Sequence, residues 1–467
     1  MKTKIIGILI CTLLIAAILP SQAINLGKNE NLTFDYRYLY QNDVLIPPDI
    51  ENAQKNRGPE PGYYDTSEFM IGTISIGIIF LESDGSIDPS TEDWTQQEKD
   101  YVMGSLGIPG GHLQWYNWWS TENMYFHSFM VYGDVHTVNI SYEPITHPSA
   151  ITNDYWEKLY ISEAMDELGY STGDWMQRVR DYTNYIRDNT ETLPGVFGTD
   201  WAFTVFVVDN SNDADGLFSD GYHAYAYLGG PFTVCPYLYP GPPGGPLLKE
   251  VFAHEMGHIF YATDEYNGNT DYSGYLNQPD VEGSGCIMDN LAPYISSGTR
   301  LQVGWKDTDG DHKADILDTF PETTLNPYTP DPTKDKVLIY TGTATVQPLT
   351  NNNPNGLGND VTTNTIGGGE FRVDGGTWMY IDATDGTYDE AVEPFTFTTP
   401  TLTLGVHTIE AYTSNNLGNN DPTPASDTIT IKNKAVDIPF QWLYKFLESH
   451  PNLFPIIQIM LKWLGLL

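Results

Sequence analysis

The sequence predicts an α/β domain, then an all-β sandwich, then a short amphipathic C-terminal tail. Three observations predict it. Up to about residue 305, strand-like apolar runs alternate with helix-like runs, the pattern of helices layered on a sheet. After Thr319 the composition shifts to Thr, Asn, Gly and Pro around short alternating runs, which is sandwich patterning. The last stretch is dense in Leu, Ile, Phe and Trp but broken by Pro451, Pro455, Gln458 and Lys462. At 467 residues the chain also exceeds what one hydrophobic core usually holds.

Residues 1–23 run from Lys2 and Lys4 through an apolar stretch, Ile5 to Leu19, to the small-residue site Ser21-Gln22-Ala23. That order is a secretory signal peptide and implies a secreted, extracellular protein. Residues 24–70 are polar and proline-marked, with little periodicity, and read as a leader or surface wrap. Within 71–305, TISIGIIFLES reads as a buried strand, and Thr95 three residues before Glu98 has capping-box spacing for a helix. FHSFMVYGDVHTVNIS is strand-like, and DYWEKLYISEAMDELG and GDWMQRVRDYTNYIRDN are helical. Trp201 to Val208 forms a central strand, and HAYAYLG a further one. A Pro/Gly-rich loop then leads into a helix beginning near Leu247. Residues 306–319 form an acidic loop, 320–433 the sandwich of immunoglobulin or fibronectin type, and 434–467 the tail. The broken tail suits an amphipathic segment on a membrane surface, a cell surface or a partner better than a span.

Sixty-one acidic against 22 basic residues give a net charge of −39. Such a chain repels polyphosphate, which excludes nucleic acid as an electrostatic partner and favours cations. Once Cys11 leaves with the signal, only Cys235 and Cys286 remain. Two cysteines are too few for a disulfide scaffold or a cysteine zinc site, and one bridge stays open.

Chemistry concentrates in HEMGHIFYATDEY, residues 254–266. Val251, Phe252, Ile259 and Phe260 have helical apolar spacing. On a helix, residues four apart share a face, so His254 and His258 direct two imidazoles at one ion, with Glu255 beside it. Asp264 follows His258 by six residues, where a turning chain offers a hard third ligand. Met288 sits about twenty residues later in a Gly-flanked turn, SGCIMDN.

This set resembles the metzincin clan of zinc endopeptidases, with its extended motif HExxHxxGxx(H/D) and Met-turn. The ending DEY is similar to immune inhibitor A-type secreted metalloproteases. The resemblance implies a metzincin-like α/β catalytic domain that hydrolyses protein or peptide substrates. It also implies zinc bound by His254, His258 and Asp264, with Glu255 as general base and Met288 as the apolar floor. Two departures stand out: Tyr261 replaces the clan glycine that ends the helix, which leaves Glu265 as an alternative third ligand, and Asn290 stands where some members carry a tyrosine. With no cysteine in 24–70, latency through a thiolate is excluded, leaving an acid such as Asp35 or Asp49 as the candidate blocker.

A second site begins at Lys306. Counting from Asp307, the carboxylates of Asp307, Asp309, Asp311, Asp315 and Asp318 fall at loop positions 1, 3, 5, 9 and 12, and Lys313 at position 7 offers its carbonyl. That spacing wraps Ca²⁺ in oxygen and resembles thrombospondin type 3 and dockerin-like loops, with His312 in place of the bend glycine. The acidic run from Asp209 to Gly221 fits either a cation site or a plain rim loop. The expectation is a secreted zinc metallopeptidase with a calcium-braced joint. The alternatives are a non-catalytic surface-binding protein on the same scaffold and a zinc hydrolase of a cell-wall amide.

Overall fold

Successive side chains of a strand point to opposite faces of its sheet. In Thr73–Ser83 (β2) both faces are buried, with Ile74, Ile76, Ile78 and Phe80 entering one core and Ile79 and Leu81 another. This two-sided burial means that β2 belongs to a sheet covered on both faces, the molecule's main sheet. The computed structural model describes residues 44–55, 58–107, 116, 119, 130–239, 248–266, 268–433, 445, 446, 449, 450 and 455–463. The signal-like residues 1–23 lie outside them.

The architecture is β-rich, with several sheets and comparatively few helices. The main sheet is built from Val44–Leu45 (β1), β2, Met130–Ile140 (β3), Trp201–Val208 (β4), Tyr225–Tyr227 (β5) and Phe232–Pro236 (β6). Their spatial order is β1-β5-β6-β4-β2-β3, and only the β5/β6 pair is antiparallel. Gln96–Leu106 (α1) starts with the capping box foreseen at Thr95 and Glu98. Ala150–Glu167 (α2) and Trp175–Asn189 (α3) pack on the Ile79 face, and Leu248–Ile259 (α4) joins the Ile76 face.

Two four-stranded antiparallel sheets follow. One runs Pro321–Leu325 (β7), Ile339–Val346 (β8), Val392–Thr398 (β12), Asp382–Ala383 (β11) in space; the other runs Met379–Tyr380 (β10), Ile366–Val373 (β9), Gly405–Asn415 (β13), Ala425–Ile431 (β14). Leu338, Tyr340, Phe371, Phe395, Phe397 and Ile409 fill their shared core.

The boundaries in space differ from those expected along the chain. Asp65, Phe69 and Met70 are wholly buried, so the end of the 24–70 segment is interior rather than a surface wrap. Beyond residue 320, a loop from Leu349 to Val361 returns to the first region. The Tyr275 hydroxyl lies 2.6 Å from the Leu349 carbonyl, Asn351 Nδ2 donates to Glu68 Oε2 at 3.0 Å, and Asn359 Nδ2 donates to Asp65 Oδ1 at 2.6 Å. Consistent with this, the described residues form one unit. In the tail, Pro455–Trp463 (α7) leaves Ile456, Ile459, Met460 and Trp463 exposed. No described helix is long and apolar enough to cross a membrane.

Candidate functional site

Helix α4 carries His254, Glu255 and His258, all at most 3% exposed. Each histidine is oriented through its Nδ1, which contacts the Ile287 carbonyl at 2.9 Å in His254 and the Ala262 carbonyl at 2.8 Å in His258. A carbonyl only accepts, so Nδ1 holds the hydrogen and the Nε2 lone pairs remain for a ligand. Those two Nε2 atoms lie 3.1 Å apart, and Asp264 Oδ1 sits 3.3 Å from the first and 3.4 Å from the second.

Such a triangle matches one face of a zinc tetrahedron, whose edges are about 3.3–3.4 Å when ligands lie about 2.0–2.1 Å from the ion. Asp264 is 2% exposed, and among the described residues neither of its carboxylate oxygens has a hydrogen-bond partner. A buried, unsatisfied carboxylate is costly unless it meets a cation. The donor set and the orphaned oxygens therefore fit a zinc ion held by His254, His258 and Asp264.

Glu265 is engaged elsewhere. It accepts hydrogen bonds from Ser296 Oγ at 2.5 Å, Thr299 Oγ1 at 2.8 Å and Cys286 Sγ at 3.2 Å. The geometry thus puts Asp264, not Glu265, in the triangle.

The turn from α4 to Asp264 is made where the sequence seemed least suited to it. Tyr261 has a φ of 67°, the left-handed conformation that glycine adopts freely. Its N–H reaches His258 O at 2.9 Å, and Ala262 N–H reaches Gly257 O at 2.9 Å. That pair of bonds is the Schellman closure of a helix. The smallness expected at 261 has moved to its neighbours. A Cβ on Gly229 would fall 2.2 Å from Tyr261 Cζ, and one on Gly356 would fall 2.6 Å from its hydroxyl oxygen.

Met288 is fully buried under the helix, and a Cβ on Gly257 would meet its Sδ at 2.6 Å. The turn holding it, Ile287–Asn290 (α5), is capped by Cys286, whose Sγ accepts from Met288 N at 3.2 Å. Tyr116 hydrogen-bonds the Ala253 carbonyl from the same core. Burial, then the nearby Cys286 and Glu255, pushes its phenol far above the ordinary range. Gly229, Gly257, Gly356, Ser296 and Thr299 were not foreseen from sequence, because nothing local to them signals a partner so distant along the chain.

Cys235 and Cys286 are both buried and neither is in a disulfide, so the bridge left open by the sequence is not made. Asp49 is committed to Arg180, with Oδ1 accepting from Nη2 at 3.0 Å. That ion pair removes Asp49 as a group to block the metal; Asp35 lies outside the described residues.

In the acidic loop, Asp307, Asp309 and Asp311 bring ligand oxygens together. Asp315 instead accepts from Thr308 N at 2.7 Å and Thr308 Oγ1 at 2.6 Å. The Lys313 ammonium lies 3.0 Å from Asp311, 3.8 Å from Asp318 and 3.0 Å from Asn419 Oδ1 of the sandwich. His312, in the bend position, has a φ of 72°, so a second glycine position is again filled by a left-handed side chain. The run from Asp209 to Gly221 is a loop braced by its own acids: Asp213 accepts from Gly216 N at 2.8 Å, and Asp220 accepts from Ser149 N at 2.9 Å at the start of α2. It contributes to neither of the metal-capable clusters found among the described residues.

No family model and no curated protein matches this chain. Among solved structures, it is similar over 22% of its length to the sulfane dehydrogenase SoxCD from Paracoccus pantotrophus, covering 24% of that chain at 15% identity and a TM-score of 0.17. Over 25% of its length it is similar to fibronectin(III)-like modules of Clostridium thermocellum CbhA, covering 48% of that chain at 20% identity and a TM-score of 0.17. The PKD domain of an M14-like peptidase from a Thermoplasmatales archaeon matches 25% of this chain and 94% of its own, at 16% identity and a TM-score of 0.16. Function rests on the site itself.

Proposed function

We propose that this chain is an exported zinc-dependent endopeptidase whose catalytic region is of the metzincin kind. The observation that carries the reading is the triangle of His254 Nε2, His258 Nε2 and Asp264 Oδ1, set beside Glu255 on one buried helix. Bound there, zinc would act as a Lewis acid and bring the pKa of a water in its open position toward about 7.

The chain's own groups account for the rest. His254 and His258 present neutral nitrogens because the carbonyls of Ile287 and Ala262 hold their Nδ1 hydrogens. Asp264 supplies negative charge at the third corner. Glu255 is the group that takes the proton from the attacking water and passes it to the leaving amine. Met288 fills the space beneath the helix at Gly257 and keeps water from the underside of the site.

The signal-like first 23 residues support export. A calcium ion at Asp307, Asp309 and Asp311 would neutralise the joint before the sandwich, and the apolar face of α7 would rest on a membrane or cell surface.

The test is cleavage of an unstructured protein such as casein by the purified mature chain. Activity that a strong chelator stops and added zinc restores, and that Glu255→Ala abolishes while zinc stays bound, is the expected result. Undiminished cleavage by Glu255→Ala sinks the mechanism. Zinc content without hydrolysis of any member of a peptide library would favour a non-catalytic binding protein instead.

A further inference from the structure

We infer that Glu265 is the positioning residue of the metal site: the buried carboxylate that fixes Asp264 and the Met288 turn relative to α4. This deepens the peptidase reading and rests on it. Glu265 is completely buried, and no Lys or Arg pairs with it in the described structure. Its Oε1 receives three donors, Ser296 Oγ at 2.5 Å, Thr299 Oγ1 at 2.8 Å and Thr299 N at 3.2 Å. Its Oε2 receives the Cys286 thiol at 3.2 Å.

The backbone of the same residue closes two further links. Its N–H donates to the Met288 carbonyl at 2.9 Å, and its carbonyl accepts from Gly283 N at 2.7 Å. One residue therefore ties the segment carrying Asp264 to Gly283–Met288 and to the start of Ser297–Gln302 (α6). Ile287, between Cys286 and Met288, is the residue whose carbonyl holds His254 Nδ1. Two of the three zinc donors are thus set by what Glu265 grips, Asp264 directly through the chain and His254 through the Ile287 carbonyl.

Cys286 acts as a donor in this arrangement. Burial first, and then the Glu265 charge, raises its thiol pKa, which keeps the hydrogen on sulfur and the bond to Glu265 in place. Such indirect partners usually change metal affinity by about 10- to 100-fold when removed.

The experiment compares wild type, Glu265→Gln, Ser296→Ala and Thr299→Val after replacing zinc with Co²⁺. The readouts are the cobalt d–d absorption spectrum and the zinc dissociation constant from chelator competition. A stability control, Ile409→Val in the sandwich core, lowers Tm without touching the site. The proposal expects Glu265→Gln to alter the cobalt band and weaken zinc by about 10- to 100-fold, Ser296→Ala and Thr299→Val to do so to a smaller degree, and the control to change neither. If Glu265→Gln does not fold, the Ser296 and Thr299 variants, which keep the carboxylate, decide the matter. Spectra and affinities equal to wild type in all site variants, with only Tm lowered, overturn the proposal. A wild type that takes up no cobalt at all fails at a different point and overturns the peptidase reading itself.

Discussion

The Tyr261 ring occupies the volume that a side chain on Gly229 would need, with only 2.2 Å between a Cβ there and Tyr261 Cζ. Gly229 also donates its N–H to the carbonyl of His258 at 3.0 Å. The strand turn, the helix end and the His254–Asp264 segment are thus locked around one tyrosine.

Gly229→Ala should therefore destabilise the chain by about 2–4 kcal/mol, combining overpacking with strain at a φ of 79°. Tyr261→Gly alone relieves local strain but empties a buried site, and should lose about 3 kcal/mol. The double variant should lose less than the sum, since the clash no longer exists. Urea unfolding of the four proteins measures this; strict additivity would show that the two residues do not interact.

Asp264→Asn should separate metal binding from folding. In the metal-free protein the carboxylate has no hydrogen bond to lose among the described residues, so the chelator-treated variant should melt at or above the wild-type temperature. Its zinc affinity should fall by at least tenfold, because the charged third donor is gone. Calorimetry in chelator beside zinc titration checks both halves, and a large loss of metal-free stability would mean Asp264 has a structural partner instead.

A stability change with pH is expected from Glu157, a wholly buried carboxyl that accepts a hydrogen bond from the Tyr227 hydroxyl at 2.7 Å. Burial pushes its pKa from 4.5 up to about 8. The folded chain therefore keeps a proton that the unfolded chain releases, and stability from this group is complete below pH 4.5 and drains away as pH rises toward 8. Glu157→Gln should raise Tm relative to wild type at pH 8 and change it little at pH 4.5. Parallel Tm curves for the two proteins across that range would contradict the assignment.

Calcium should raise the Tm of the wild type, and the rise should shrink in Asp307→Asn. Asp307 accepts from Gly310 N at 2.8 Å and His312 N at 2.9 Å, one on each oxygen. Asn keeps one of these acceptors, and in this partly exposed loop water can take the other donor, so the variant should fold. An equal calcium response in both proteins would place the ion elsewhere.

The elements that were legible in the sequence are those decided by local physics. β2, β4, the Thr95–Glu98 cap and α4 follow from periodicity and capping, which act over a few residues. The spacing of His254, His258 and Asp264 was likewise enough to nominate the three donors. What could not be read was set by partners far along the chain. Tyr261 looked unsuited to its turn because Gly229 and Gly356, the residues that make room for it, lie 32 positions before and 95 after it. Glu265 competed with Asp264 on paper because Ser296 and Thr299, which capture it, carry no local signature. By composition the Leu349–Val361 loop belongs to the sandwich, while its hydrogen bonds to Glu68 and Tyr275 tie it to the first region.

The central claim is tested most directly by zinc X-ray absorption on the mature protein and on Asp264→Ala. The account predicts one zinc per chain, with two imidazole nitrogens and a carboxylate oxygen about 2.0–2.1 Å away, and a lost oxygen contribution or lost zinc in the variant. Absence of bound zinc, or a spectrum that Asp264→Ala leaves unchanged, would contradict it.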